Sequence, residues 1–343
     1  MGRRILAAGA AVLALAGLAS CDSKAAPARA VPSATGLVPP RAADNWGGGA
    51  IGADLVVGDQ LRPLGGTSIT LQGLGEVYSA RRVADGWLVE RGDQAARKLW
   101  LVTATTQALL VDVVDNGYAV APDGRHIAFQ QGNWLSVGQL TGGRLTVDSK
   151  TQLPGKDGPQ GRTGATLAGW FGPYLAIGDR LGADYDGFDV YDPTHGGYNP
   201  TFNPDVYGVF GLQPGGMLLG AVAVGGDRHP CLATLDPAER LRASNVNCAV
   251  QVHPAHGWLA PDLRHLAGLA KDTVTVYEIP TGSRIASAPY QGTGEPVWLD
   301  RNVLLVPEPD RIVRIDMTDP KHPQDLPLPD PHGHWVVVPR AGS

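Results

Sequence analysis

Gly117-Tyr-Ala-Val-Ala-Pro-Asp-Gly-Arg-His-Ile-Ala-Phe129 reads as a strand, a tight Pro-Asp-Gly turn and a second strand. A near copy follows at Gly257-Trp-Leu-Ala-Pro-Asp-Leu-Arg-His-Leu-Ala267. The two share Ala-Pro-Asp and then Arg-His-aliphatic-Ala, 139 residues apart. A strand–turn–strand unit repeated at that distance predicts an array of small antiparallel sheets.

Two ladders give the period of the array. An aromatic residue marks the start of a strand at Tyr78, Tyr118, Trp170, Tyr207, Trp258, Trp298 and Trp335. An apolar centre of a later strand recurs at Val102, Val137, Tyr191, Leu235, Tyr277 and Ile315. Both average about 43 residues per step, the length of one four-stranded propeller blade. Composition agrees. Glycine (46) and proline (28) are frequent and charged residues make up only 18%, as many turns between short apolar strands require. Glutamate occurs six times and aspartate supplies the other 27 acids. Aspartate favours turns and glutamate favours helices, so the skew also points to β structure.

The hairpins resemble the Ser/Ala-Pro-Asp-Gly hairpins of TolB-like and WD40-like β-propellers. Phe188-Asp-Val-Tyr-Asp-Pro-Thr194, Leu232-Ala-Thr-Leu-Asp-Pro237 and Val274-Thr-Val-Tyr-Glu-Ile-Pro-Thr-Gly282 resemble the third-strand turns of such blades. The expected fold is all-β, a β-propeller of seven four-stranded blades over residues 53–343, with six blades and a stray hairpin as the alternative. Trp335 has little chain after it. Its blade must be completed by Asp54-Leu-Val-Val57 and Thr67-Ser-Ile-Thr-Leu71, so that the two termini close the ring and leave no flank open.

Residues 1–20 carry a different message. Arg3-Arg4 precedes an uncharged run from Ile5 to Leu18, too short to span a bilayer comfortably and suited to the apolar region of a signal peptide. Leu18-Ala-Ser-Cys21 resembles the bacterial lipobox. That resemblance implies cleavage before Cys21, acylation of Cys21 with chains such as palmitate, and a membrane-anchored lipoprotein facing away from the cytoplasm, at the cell surface or in the periplasm. Two or three acyl chains make a stable anchor, at ~0.8 kcal/mol per buried CH2. Residues 21–52, rich in Ala, Pro and Gly without apolar periodicity, read as a flexible tether.

With Cys21 assigned to lipid, Cys231 and Cys248 remain. The midpoint of the turn Asp236–Leu241 is also the midpoint of the two cysteines. Symmetric pairing therefore sets them opposite each other on the third and outer strands of the fourth blade. Outside the cytoplasm such a pair oxidises to a disulfide.

No motif of a known catalytic class appears. The net charge of −5 favours neither nucleic acid nor an acidic lipid surface. Asp184, Asp186 and Asp189 have the alternation of a calcium loop but lack its distal glutamate, and a solvated turn explains them equally. His332 and His334 could chelate from one face of a strand, though no third ligand follows in sequence. His126 and His265 occupy equivalent places in two blades, which favours a structural role. The aromatic ladder reads as blade-to-blade packing or as a sugar-stacking ring around the channel. No cofactor is expected. The expected activity is non-catalytic binding of a protein or other cell-envelope component by a monomeric domain. The alternative is an enzyme of the lactonase, hydrolase or quinoprotein-dehydrogenase kind, with its site at the axial channel.

Overall fold

The computed structural model describes residues 51–339 apart from 74, 94–95, 116, 156–163, 182–183, 251, 253–255, 293 and 329–334, and for 180, 181, 184 and 185 it describes the backbone alone. The signal segment 1–20, Cys21, most of the tether, His332 and His334 lie outside the described residues.

The chain folds as a seven-bladed β-propeller. Blade 1 is built of Glu76–Val83, Gly86–Gly92, Arg97–Val102 and Gln107–Val114, paired in that order. Blades 2, 4, 5 and 6 repeat the pattern, opening at Tyr118, Val206, Gly257 and Val297. Blade 3 has three strands, Gly164–Phe171, Tyr174–Leu181 and Asp184–Tyr191. One bridge, Phe188 to Asn203, stands where its outer strand would run. In blade 7 Trp335–Val338 pairs with Asp54–Val57, and Gln60–Arg62 and Ile69–Thr70 complete the sheet. The register sets Asp54 opposite Val338 and Val57 opposite Trp335, so the two ends of the chain close the ring as expected.

Seven apolar clusters hold the ring, one between each pair of neighbouring blades. The central strands show how a period of two builds them. In Val303–Pro307 of blade 6, Val303 and Leu305 pack against blade 7, while Leu304 and Val306 pack against blade 5. Both faces are therefore buried, and an unbroken aliphatic run is the sequence that fits. Burying each of these side chains contributes ~1.5–3 kcal/mol.

The repeated hairpins share one hydrogen-bond scheme. Ala121 N donates to His126 O, and Gly124 N to Ala121 O, both at 2.9 Å. In the second copy Ala260 N donates to His265 O and Leu263 N to Ala260 O, again at 2.9 Å. The turn aspartate caps each. Asp123 Oδ1 accepts from Arg125 N and His126 N, and Asp262 Oδ1 from Arg264 N and His265 N. The histidine rings lie 2.5 and 2.6 Å from the same carboxylates through Nδ1. Each imidazole then abuts the next blade: His126 meets Trp170 and His265 meets Trp298, with ring centroids 6.4 and 6.5 Å apart. The recurrent histidines thus bond their own turns and pack on a neighbour.

Cys231 and Cys248 form a disulfide on blade 4, with Cα atoms 4.4 Å apart. The pairing is less simple than mirror symmetry about the turn. Beside the turn Asp236 faces Arg242 and Leu235 faces Ala243, one residue short of the symmetric register. A bulge between Leu232 and Thr234 shifts the pairing so that Leu232 faces Asn247, which brings the cysteines opposite each other.

Candidate functional site: the axial cavity

The first strands of the blades surround a cavity of about 430 Å3, with blades 1, 2, 3, 6 and 7 all contributing to its wall. Such a volume falls within the ~300–1,000 Å3 typical of small-molecule sites. In Glu76–Val83 the four successive residues Tyr78, Ser79, Ala80 and Arg81 line the cavity, whereas Arg82 turns toward the closing blade. There its guanidinium donates to Asp54 at 3.0 Å and covers the Trp87 ring at 4.2 Å. Asp54 also accepts from Trp87 Nε1 at 2.7 Å and from Leu64 N at 2.6 Å. One carboxylate thereby joins blade 7 to blade 1.

Glu90, buried on the second strand of blade 1, sends its carboxylate into the cavity wall. Ser79 Oγ lies 2.9 Å from Glu90 Oε2 and 3.4 Å from the Tyr118 hydroxyl. With one proton to give, it donates to the nearer and charged acceptor. Arg97 pairs with Glu90 at 3.4 Å and covers the Tyr78 ring at 4.0 Å. This charge pair is internally satisfied and already occupies one aromatic face.

The Tyr118 hydroxyl is the electrostatic centre of the wall. Burial pushes its pKa up to about 12; Arg81 and Ser79 oppose that shift, while Glu90 and Glu295 add to it. The phenol therefore stays protonated and serves as a hydrogen-bond donor. Across the cavity Tyr290 donates its hydroxyl to Gly294 O at 2.8 Å. Its pKa is raised by burial and by the carboxylates of Glu295 and Glu308. Arg81 and Glu295 differ from the rest: neither side chain makes a hydrogen bond or ion pair among the described residues, and Glu295 is exposed.

Of the aromatic ladder, Tyr78, Tyr118 and Trp335, from blades 1, 2 and 7, line the cavity, and Tyr118 and Trp335 also pack between blades. Trp170, Tyr207, Trp258 and Trp298 pack between blades. Trp170 sits near the end of its strand, not at the start, and its indole donates to Gly172 O at 3.0 Å. In blade 3 the cavity position falls to Leu167.

The calcium candidates do not meet at a described site. The Asp184 side chain lies outside the described residues. Asp189 is buried, and both its oxygens serve the local backbone: Oδ1 accepts from Val190 N at 2.9 Å and Oδ2 from Thr201 N at 2.7 Å. Asp186 is half-buried on the same strand. Among the described residues no three His, Cys, Asp or Glu side chains come together as metal ligands. Nor does any described helix have the length and apolar character to cross a membrane.

Sequence reading missed Glu90, Arg97, Tyr290 and Glu295. One signal was available. Glutamate is scarce in this chain, yet two of its six copies line the cavity and Glu308 acts on Tyr290 from nearby.

No family model matches the sequence, and no curated protein matches it. Several solved structures resemble the fold. Hydrazine synthase of Kuenenia stuttgartiensis is 16% identical, with 72% of this chain and 78% of that chain covered and a TM-score of 0.46. AztD of Citrobacter koseri is 12% identical, with 83% and 97% covered and a TM-score of 0.49. A chain of the mitotic checkpoint complex is 13% identical, with 74% and 77% covered and a TM-score of 0.50. At these identities the likeness is one of fold alone.

Proposed function

We propose that the protein is a lipid-anchored, extracytoplasmic lipoprotein whose TolB-like propeller binds a protein or other component of the cell envelope without catalysing a reaction. The observation that carries the reading is Leu18-Ala-Ser-Cys21 behind a basic start and a short apolar run. The Cys231–Cys248 disulfide supports it, because such bonds persist in oxidising compartments. Acyl chains on Cys21 hold the protein to the membrane, and the tether to residue 52 lets the ring stand clear of the lipid surface.

Binding is favoured over catalysis by the cavity wall. Its buried carboxylate, Glu90, is spent on Ser79 and Arg97, and its buried phenol, Tyr118, is held protonated and far from nucleophilic. A rigid ring with variable loops suits recognition of a large partner.

Two measurements test the reading. Metabolic labelling with an alkyne fatty acid should mark the wild-type protein and leave Cys21→Ala unlabelled and released from the membrane. In-membrane crosslinking followed by mass spectrometry should capture a dominant envelope partner, and capture should fall with Cys21→Ala. Labelling that persists in Cys21→Ala would refute the anchor. Labelled protein that captures nothing above background would refute the scaffold role.

A further inference from the structure

We propose that the axial cavity is a binding site for a neutral mono- or disaccharide, with Arg81 as donor, Glu295 as acceptor and the rings of Tyr118 and Tyr290 as the packing surface. This site is separate from any partner surface on the propeller faces.

The ligand class follows by elimination from the wall. A cation would need an uncancelled negative field. Arg97 already pairs with Glu90, and Arg81 adds a second positive charge to the same wall. An anion would pair with Arg81 but would face Glu90 and Glu295. A purely apolar ligand would strip water from Arg81 and Glu295 and give them no partner in return.

A neutral polyol avoids each penalty. Its hydroxyls both donate and accept, so one ring can accept from Arg81 and donate to Glu295. Its C–H face packs on aromatic rings. The Tyr118 hydroxyl offers a further donor in the same space, within reach of Ser79. The hydroxyls of Ser79 and Tyr290 are already committed, to Glu90 and to Gly294 O, so they hold the wall in place instead of competing for ligand. Gly117, Gly292 and Gly294 line the cavity without a side chain to fill it. The volume of about 430 Å3 has room for one or two sugar units.

The test uses the soluble Cys21→Ala protein, a panel of neutral hexoses and N-acetylhexosamines with their disaccharides, and saturation-transfer NMR at millimolar concentration. Fluorescence of Trp335, which lines the cavity, provides a second readout. At least one sugar should bind saturably. Glu295→Gln and Arg81→Gln should each weaken that sugar by about tenfold, the loss expected for one charged hydrogen bond, with the melting temperature unchanged. If Arg81→Gln fails to fold, the exposed Glu295→Gln carries the test. Failure of every sugar to bind the wild type, or equal binding by wild type and Glu295→Gln, would overturn the proposal. So would a preference for choline, glycine or inorganic phosphate over the sugars.

Discussion

Leu263 holds a left-handed backbone, φ 60°, at the place where the sister hairpin has Gly124 at φ 66°. The hydrogen bonds around the two turns match, so the leucine bears a strain its counterpart avoids, roughly 1–2 kcal/mol for an L-residue. Leu263→Gly should stabilise the protein by about 0.5–1 kcal/mol in urea denaturation once the extra backbone entropy is subtracted. Gly124→Ala should cost a similar amount. Glu308 is the opposite case, a carboxylate 1% exposed with Oε1 unpartnered. Burial raises its pKa against the pull of Arg311 and the backbone bond from Gln291. A raised carboxyl pKa means that the native state resists ionisation, so stability is lost as pH rises from the ordinary carboxylate value through the folded pKa, and none is lost below the ordinary value. Glu308→Gln should therefore raise stability by about 1 kcal/mol at pH 7. Paired melts should show that gain shrinking as pH falls through the raised pKa toward the ordinary carboxylate range. A gain independent of pH would mean that shape, not charge, is responsible.

At the level of strands and turns, most of the architecture was legible. The Ala-Pro-Asp repeat located its hairpins because a capped turn needs only local residues, and Asp123 and Asp262 supply the cap from within four positions. The apolar centres from Val102 to Ile315 all fell on third strands, since each is a buried residue packed between blades. The cavity was not legible. Tyr118 comes from a part of the chain distant from Tyr290 and Glu295, and which side of a strand faces the axis depends on bulges. In blade 1 a register shift between Val77 and Ser79 sits beside Tyr78. No propensity places such an irregularity. The Arg81-Arg82 pair shows the difficulty: one guanidinium reaches the cavity and the other the Asp54 latch, and only the register says which. Asp54→Ala should test that latch. It removes one acceptor from three donors and leaves the indole of the buried Trp87 without a partner. A loss of about 2–3 kcal/mol is expected, with Arg82→Ala costing less because that guanidinium is exposed to water.

For the whole molecule, closure is the property on which the rest depends. Seven clusters form a continuous belt, and two of them contain residues of Trp335–Val338. Removing residues 329–343 should therefore do more than delete a strand. Blade 7 would lose its inner member, and the cores it shares with blades 6 and 1 would lose Trp335, Val337 and Val338. Thermal unfolding of this truncated chain should lack a single sharp transition, and the protein should bind a hydrophobic dye at temperatures where the full chain does not. A cooperative melt close to that of the full chain would refute closure as the basis of stability. The cavity depends on the same strand, because Trp335, Val336 and Val337 form part of its wall.

The joining of the two termini also sets a clock. Blades 1 to 6 can each assemble in the order in which they are made, but the sheet begun by residues 54–70 must wait for Trp335. At ~5–20 residues per second that wait lasts roughly 15–60 s of synthesis. During it the earliest strands offer an open edge to any extended chain nearby. A polypeptide released before Trp335 remains an arc with raw edges at both ends, while one that reaches Val338 becomes a ring. Translation through the last strand is thereby converted into a difference in shape, one that a chaperone or protease sensing exposed strands can read without reading the sequence.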